Sequence, residues 1–506
     1  MKQEIKIGGI TLSEDILTLD KLESHLWESA NILRGSIDSA DYKNYIFGML
    51  FLKRINDVFE EEQGRVKEEE AEVFVDDPTF YDFYVPERAR WEHLASIKQD
   101  IGAALNKAFE ELEEENEMLE GVLVNIDFND KERLPDHVLD ELIQHFSTYT
   151  LSNEKLEDPD ILGTAYEYLI KQFADDAGKK GGEFYTPQEV VKLLVEILDP
   201  QPGMRVHDPC CGSGGMLVYS ADHLKENGFD TSRITLYGQE RNLNTWAICK
   251  MNMLLHGHYD AEIAKGDTMR DPEFTEGGDL DQFDIVLANP MWNQKRWSKE
   301  YIQDSEPYGR MKYGYPPKNK GDWAWIQHMI ASTNKKGRLG VVLDNGALFR
   351  SRSEGKIRKK VLQDDLIEAV IALPGNLFAN TSSPGCIIIF NKDKPKERKD
   401  EVIFIYAEED YEEMSNHNRL REEDLKKILD AYHSFQDVEK YCRVADMEEI
   451  ERNDFNLNVP RYVDTTEPEE PVDIDEVLDD LEQLEEEYEE VESELEDYLS
   501  ELGYDG

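Results

Sequence analysis

The chain has 506 residues and a formal net charge of −54, a length that predicts roughly two or three domains and a large hydrophobic core. No apolar run is long enough to span a bilayer and no signal-like segment follows the first residues, so we expect a cytoplasmic protein without a membrane partner. The cysteines are odd in number and form no Cys-x-x-Cys pair, which argues against a disulfide framework or a metal site.

The acidity of the chain limits how it can bind nucleic acid. A surface of the same sign as the phosphate backbone repels it, unless a local basic groove or a basic partner supplies the phosphate contacts. Two explanations stay open: adaptation to a saline cytoplasm, and pairing with a more basic subunit. Lysine is still plentiful, which weakens the first explanation.

The N-terminal part carries apolar residues at helical intervals. The pattern extends from Asp20 to about Glu70 and continues in Ala95 to Leu119 and in Pro135 to Phe146. These stretches predict a helical N-terminal domain over residues 1–158 with a core of its own.

A further helical pattern, Ile161 to Phe173, is followed by a basic, glycine-rich loop over residues 177–182. After the loop, Thr186 is predicted to cap the helix that runs to Leu198, because its hydroxyl can accept a backbone amide. Pro187 suits the first helical position, since its backbone angle is already helical and it has no amide to satisfy.

A glycine-rich turn, Asp208 to Gly215, separates the predicted strand Met204 to His207 from a helix. Glycine lets a backbone approach a ligand closely, and the helix offers free amide donors at its N-terminus. Two more strands end near Glu240 and Asp267, which completes the pattern of a doubly wound sheet that holds a nucleoside. We expect Glu240 to bind the ribose hydroxyls and Asp267 an adenine amino group. The alternative, a helix cap, fits either acid alone better than both together.

The stretch Phe283 to Trp292 is an apolar strand that stops at an Asn-Pro turn. In open α/β sheets ligands bind beyond the carboxyl ends of the strands, so Asn289, Pro290 and Trp292 are expected to project into a crevice. An amide oxygen, a carbonyl and a large aromatic ring suit a planar group that carries an NH2. The alternative is an ordinary Asn-Pro turn with a packed tryptophan.

The segment 293–320 is locally basic and aromatic, which predicts phosphate contacts and base stacking; a long irregular surface loop is the alternative. Beyond it, Leu339 to Leu343, Leu366 to Leu373 and Cys386 to Phe390 predict buried strands, for a sheet of about seven. Residues 159–463 are therefore expected to form one α/β domain.

From Asp464 onward the chain lacks lysine and arginine and repeats apolar residues in alternating steps of four and three. These residues are Val477, Leu481, Leu484, Tyr488, Val491, Leu495, Tyr498 and Leu502. The spacing predicts that residues 464–506 form a coiled-coil helix, and its acidity favours a different, basic helix as the partner. A solvated acidic helix is the alternative.

Taken together, these motifs resemble the methylation subunit of Type I restriction-modification systems, an S-adenosylmethionine-dependent N6-adenine DNA methyltransferase. The resemblance covers nearly the whole chain. It is carried by Leu26 to Arg34, Glu183 to Pro187, Asp208 to Gly215, Gly238 to Glu240, and the Asn289-Pro290 turn.

The resemblance implies a helical N-terminal domain, a Rossmann-like methyltransferase domain and S-adenosylmethionine as cofactor. It implies that the Thr-Pro and glycine-rich segments bind the cofactor through Glu183, Phe184, Tyr185, Thr186, Pro187, Gln188, Asp208, Gly212, Ser213, Gly214 and Gly215. It further implies that the Asn-Pro turn holds a flipped adenine of double-stranded DNA. The expected partners are a specificity subunit and a restriction subunit that contains the motor and nuclease.

One departure from the family's pattern lies in the catalytic turn. The usual motif is Asn-Pro-Pro followed by Phe or Tyr, whereas this chain has Met291 and Trp292. A tryptophan can stack on a base at least as well as phenylalanine, so we expect activity to be retained. The rival interpretations are transfer to cytosine N4, transfer to a protein glutamine, or an inactive assembly scaffold.

Overall fold

The computed structural model describes residues 16–34, 36–37, 39–69, 74–123, 126–158, 161–177, 186–378, 381–414 and 417–466, two short strands before residue 12, and single residues or short runs between 481 and 499. The chain divides into two units, Met1–Val463 and Asp464–Gly506. None of the helices described is long and apolar enough to cross a membrane.

The N-terminal region is helical, as expected. Its helices are α1 (Leu19–Leu33), α2 (Ser39–Glu69), α3 (Trp91–Ser96), α4 (Ile101–Glu115) and α5 (Asp136–Phe146). Helices α1 and α2 both pack on α6 (Ile161–Ala177), whose Tyr166 donates a hydrogen bond to the Ile248 carbonyl at 3.1 Å. The helical region and the sheet thus belong to one unit, and a domain boundary after residue 158 stays a prediction.

Within the described part of the chain, nine strands form the main sheet. In chain order they are β1 (Arg205–Asp208), β2 (Thr235–Glu240), β3 (Glu262–Lys265), β4 (Phe283–Ala288), β5 (Thr333–Asp344), β6 (Ile367–Ala372), β7 (Gly385–Asn391), β8 (Glu401–Tyr406) and β9 (Cys442–Asp446). The predicted count of seven was wrong because β8 and β9 were missed. β9 is an edge strand with no continuous apolar run, so its sequence gives only a weak strand signal.

Eight helices are described in the same region as the sheet. They are α7 (Gln188–Leu198), α8 (Gly215–Glu226), α9 (Leu243–Leu255), α10 (Lys299–Ser305), α11 (Asp322–Ser332), α12 (Ser353–Gln363), α13 (Glu422–Ser434) and α14 (Met447–Arg452). Of these, α7, α8, α9, α11, α13 and α14 contact the strands of the sheet. Helix α7 lies so close to β5 that a Cβ on Gly340 would sit 2.4 Å from Cδ1 of Leu194. Glycine at this position therefore lets α7 and the residues before it approach the carboxyl edge of the sheet.

The strand order across the sheet is β9-β8-β6-β7-β5-β4-β1-β2-β3, and β3, β2, β1, β4 and β5 are mutually parallel. The order reverses between β1 and β4, where Val206 pairs with Ile285. Such a reversal opens a crevice at the carboxyl ends of the two strands. Asp208 at the end of β1 and Asn289 just after β4 flank this crevice.

In the second unit the described residues between 481 and 499 are helical, and their large apolar side chains are exposed. These side chains are Leu481, Leu484, Tyr488, Val491, Leu495 and Leu499. The first five belong to the predicted heptad seam. Its pairing with another helix stays a prediction.

Candidate active site

A cleft opens at the reversal of strand order. Among the described residues its lining combines the glycine-rich turn with residues before α7 and on α6: Glu167, Ile170, Thr186, Gln188, Val191, Asp208, Cys210, Cys211, Gly212, Ser213, Gly215, Met216, Tyr219 and Asn289. The cleft therefore brings together seven of the residues predicted from the sequence. Glu183, Phe184 and Tyr185 lie outside the described residues.

The glycine-rich turn packs directly against α9. Gly212 and Gly214 have φ angles of 56° and 86°, in the left-handed region that favours glycine. A Cβ on Gly214 would lie 2.8 Å from the Cys249 sulfur, and Asn252 Nδ2 donates to the Ser213 carbonyl at 3.0 Å. The turn is thus fixed against α9 with its other face toward the cleft.

Glu240 connects the end of β2 to the glycine-rich turn. Its Oε2 accepts from the Gly212 amide at 3.1 Å, and its Oε1 accepts from the Asn242 amide at 2.7 Å. Asp267 accepts from the Met269 amide at 3.1 Å and pairs with Arg241 at 3.3 Å. Glu240 therefore ties β2 to the glycine-rich turn, and Asp267 braces the loop after β3. The N-cap of α9 is Asn242, so Glu240 is not the helix cap that the alternative reading expects. The contacts of both acids with a nucleoside stay predictions.

Asn289 is hydrogen-bonded on both sides. Its Nδ2 donates to Thr186 Oγ1 at 2.8 Å, and its Oδ1 accepts from Trp292 Nε1 at 2.9 Å. An indole nitrogen is only a donor, so the atom that faces it must be the amide oxygen. The amide orientation of Asn289 is therefore set by its neighbours before any substrate arrives.

The sequence predicts that Thr186 caps α7, but in the structure it does not. The helix begins at Gln188, Pro187 occupies the N-cap, and no side chain caps the first turn. The threonine hydroxyl bonds to Asn289 instead, 103 positions along the chain. A tertiary partner has replaced the local one that capping patterns assume.

Trp292 was expected to project into the crevice, but its side chain is buried instead. Its side chain is only 9% exposed, belongs to the hydrophobic core and packs edge-on against Phe378, with the ring centroids 4.7 Å apart. A Cβ on Gly385 would lie 2.7 Å from the Phe378 ring and 3.0 Å from Trp292, so glycine makes room for both rings. Met291, in the place of the family's second proline, is 44% exposed.

An ion-pair network just beyond the turn was missed by the sequence analysis. The Asn293 amide donates to Asp322 Oδ1 at 2.8 Å, and Asn293 Oδ1 accepts from Arg350 at 2.9 Å. Arg350 also pairs with Asp322, Asp344 and Glu354. Burial raises the pKa of Asp322, whose side chain is fully buried, and the charge of Arg350 opposes that rise.

Glu167 is a second residue that the sequence analysis missed. It is 8% exposed on α6, and Gln188 Nε2 donates to its Oε2 at 3.2 Å. Burial raises the pKa of Glu167 to about 7 and that of Asp208, across the cleft lining, to about 7 as well. The sequence does contain one signal for Glu167: it is an acidic residue on the otherwise apolar face of the helical stretch Ile161 to Leu169.

The parallel sheet, the glycine-rich turn at its reversal point and the oriented amide at the end of β4 define a nucleoside-binding amino-methyltransferase site. Comparison with known proteins agrees. The N-6 DNA Methylase family matches residues 157–471, and the HsdM N-terminal domain matches residues 22–146. The chain belongs to this family: it is an N6-adenine DNA methyltransferase, the methylation subunit of a Type I system, with S-adenosylmethionine as cofactor.

Individual relatives cover most of the chain. It is 37% identical to the Type I restriction enzyme MjaVIII methylase subunit of Methanocaldococcus jannaschii, over 99% of this chain and 88% of that one. It is 34% identical to the Type I restriction enzyme HindI methylase subunit of Haemophilus influenzae, over 76% of this chain and 91% of that one. The crystal structure of a Type I methyltransferase subunit from Streptococcus thermophilus superposes with a TM-score of 0.80 at 30% identity, over 88% and 100%. The cytosine, glutamine and scaffold alternatives gain no support.

Proposed function

We propose that Asn289 and Pro290 hold the amino group of the target adenine during methyl transfer. An amide oxygen has two lone pairs, so Asn289 Oδ1 keeps one for the substrate beside its bond from Trp292. The Pro290 carbonyl is the second acceptor. Together they take the two hydrogens of adenine N6, which makes the nitrogen more tetrahedral and aims its lone pair. The bonds from Asn289 to Thr186 and from Trp292 to Asn289 carry this proposal.

The contribution of these residues is orientation. Alignment of reacting groups can supply roughly 7–11 kcal/mol of the barrier reduction without a strong base. S-adenosylmethionine supplies an electrophilic methyl group on a sulfonium. The protein's part is to hold the amine at a fixed distance and angle, and the preset rotamer of Asn289 avoids the entropic cost of ordering it during the reaction.

The cleft fits a cationic cofactor. Its described lining contains the carboxyl groups of Glu167 and Asp208 and no lysine, arginine or histidine. The proposed cofactor residues are the Thr-Pro segment, the glycine-rich turn, Glu240 and Asp267. Glu240 would bind the ribose hydroxyls through its carboxylate, at the point where β2 meets the glycine-rich turn.

The target adenine must leave the DNA stack to reach Asn289, because a base inside a duplex cannot enter a crevice at a sheet edge. The burial of Trp292 changes the role we assign to it. Its N–H orients Asn289, and only the small exposed part of its ring is left for stacking on the base. We therefore propose Trp292 as a positioning residue.

A basic surface beside the catalytic turn is the proposed contact for DNA phosphates. It consists of segment 293–320 and the residues from Arg350 to Lys360 at the start of α12, which include six basic residues and one acidic residue. Of these six, Arg358 is buried and Arg350 is paired with acids, so the surface charge comes from the other four. The two parts touch, because Lys360 donates to the Tyr313 carbonyl at 3.1 Å and Arg350 reaches Asn293. A local excess of positive charge is what so acidic a chain needs to approach a duplex.

The chain is proposed to act within a multisubunit complex with a specificity subunit, which selects the DNA site, and a restriction subunit. The names of its relatives as methylase subunits of Type I restriction enzymes support this. The proposed division of labour is a helical domain over 1–158, a methyltransferase domain over 159–463 and an assembly helix over 464–506. The exposed apolar seam of the last segment supports its role in assembly.

The test is Asn289→Ala in the subunit assembled with its specificity subunit. Methyl transfer, measured as N6-methyladenine after digestion of DNA to nucleosides, should fall to background, because the amine loses its acceptor. Cofactor affinity measured by calorimetry should stay near the wild-type value, since Asn289 is proposed to hold the amino group of the acceptor base.

The matched control is Asn334→Ala at the opposite edge of the same strands. Asn334 Nδ2 donates to Asp284 Oδ1 at 2.7 Å, so it also loses one side-chain bond. Its turnover should remain close to wild type. Normal turnover of Asn289→Ala would refute the assignment of the catalytic turn.

A further inference from the structure

Glu167 is a buried carboxyl group between α6, the start of α7 and the glycine-rich turn. Gln188 Nε2 donates to its Oε2, and its Oε1 would lie 3.7 Å from a Cβ placed on Gly215. It lines the same cleft as Asp208 and Asn289. The carboxyl group is therefore held at the wall of the cofactor cleft.

The charged neighbour that acts on the Glu167 carboxyl is an acid: Asp222 raises its pKa, beside the larger effect of burial. Helix α8 contributes Asp222 and Tyr219. Burial raises the pKa of Tyr219, and the charges of Glu167 and Asp222 raise it further. Helix α9 contributes the uncharged amide of Asn252. His256, which follows α9, packs on Gly163 one turn before Glu167 on α6. An acid buried among such neighbours is costly to ionise, unless a cation binds beside it.

Asp208, the other acid of the cleft, is already committed to the turn. Its Oδ1 accepts from the Cys210 amide at 3.0 Å, which closes the first bend after β1. Glu167 accepts hydrogen bonds from the Gln188 amide and from the Asn252 side chain, and neither donor carries a charge. A carboxylate has about four acceptor positions, so Glu167 can also accept from a charged donor in the cleft. Asn252 Oδ1, next to it, is buried and has no hydrogen-bond partner in the part of the chain described.

We propose that Glu167 binds the α-ammonium group at the methionine end of S-adenosylmethionine. The proposal rests on the function assigned above and adds a residue to the cofactor site. An ammonium group offers three donors and a positive charge, which a buried carboxylate needs. Asn252 Oδ1 is a buried acceptor beside Glu167, so its partial negative charge also favours a cation there.

Proton release on binding follows from this assignment. Burial raises the pKa of Glu167 to about 7, so below neutral pH the carboxyl of the free protein is largely protonated. A bound ammonium favours the carboxylate and lowers its pKa. Binding therefore expels a proton, and affinity rises with pH up to about 7, where the free carboxyl is already ionised. Above that, the ammonium itself titrates near pH 7.7–8.0.

The experiment compares wild type with Glu167→Gln by calorimetry of S-adenosylhomocysteine binding, between pH 5.5 and 7.5. S-adenosylhomocysteine keeps the amino acid end and is chemically stable, and its deaminated analogue lacks only the amino group. The substitution should weaken S-adenosylhomocysteine binding about tenfold to hundredfold, the effect of losing a charged hydrogen bond. Binding of the deaminated analogue should change less than threefold.

Proton release on binding supplies a second readout. Binding enthalpies in two buffers of different ionisation enthalpy give the number of protons released per ligand bound. At pH 6.5 this number should be smaller for Glu167→Gln than for wild type, by roughly half a proton or more. Asp222→Asn is the matched control. It also removes one negative charge close to Glu167, but Asp222 does not line the cleft. It should retain the preference for the amino group.

Equal loss for the two ligands, or unchanged proton release, would overturn the proposal and leave Glu167 a brace for Gln188. These measurements need no DNA and no methylated product. A wild-type chain that binds cofactor but fails to methylate DNA would count against the proposed catalytic turn and leave this assignment standing. A wild-type chain that binds neither ligand would refute both.

Discussion

The catalytic turn and the cofactor cleft use their polar groups in opposite ways. Around the turn, polar groups satisfy one another: Thr186 and Trp292 hold Asn289, while Asp322 and Arg350 hold Asn293. In the cleft, buried acids lack basic neighbours among the described residues, and the pKa of Glu167 is raised to about 7. One region is preorganised without its substrate, and the other is completed by a charged ligand. The difference predicts which substitutions cost stability and which cost affinity.

The sharpest test of the preorganised turn is Arg350→Met. It leaves the fully buried Asp322 and the nearly buried Glu354 without their shared cation. Breaking a buried pair by removing one partner costs about 3–5 kcal/mol, so the free energy of unfolding should fall by about that much. Chemical denaturation of the isolated subunit measures it.

The pH dependence of that loss has a defined sign. Without Arg350 the pKa values of Asp322 and Glu354 rise further in the folded state, so the variant binds protons more tightly when folded. The loss of stability should therefore be largest above neutral pH and shrink as pH falls toward the unfolded-state values of about 4. Arg352→Met, at an exposed arginine two positions on, should lose little stability. Equal losses would mean that the network does not support the turn.

How far the sequence predicts this site depends on the distance between partners along the chain. The glycine-rich turn, the ends of β1 and β4 and the Asn-Pro motif are local patterns, and they were found. The bond from Asn289 to Thr186 spans 103 positions and that from Arg350 to Asn293 spans 57, so neither leaves a local signal. The burial of Trp292 depends on Phe378 and on the missing side chain of Gly385. Such packing is decided by the tertiary structure alone.

A smaller effect is expected for Trp292→Phe, which keeps an aromatic ring against Phe378 and removes the N–H that orients Asn289. One net hydrogen bond contributes about 0.5–1.5 kcal/mol, so kcat should fall about threefold to tenfold while cofactor affinity holds. Single-turnover methylation measures the change. Trp297→Phe is the control, since its N–H bonds to the Pro317 carbonyl away from Asn289. A normal rate for Trp292→Phe would show that Thr186 suffices to orient the amide.

The smallest effect on both regions is expected from deletion of residues 465–506. The described core, turn and cleft all lie within Met1–Val463, so unfolding free energy and cofactor affinity of the isolated subunit should stay within error of wild type. Assembly with the specificity subunit should weaken, because Leu484, Val491 and the rest of the exposed seam are lost.

A second tail variant separates apolar packing from charge. Leu484→Ser with Val491→Ser keeps every acid of the tail and removes apolar surface that is more than 60% exposed at both positions. If the seam binds the partner, this variant should assemble as poorly as the deletion, and the wild-type contact should persist at high salt. If acidic charge binds a basic helix, the variant should assemble normally and wild-type affinity should fall as salt rises. Full affinity of the deletion at every salt concentration would leave the tail without a role in assembly.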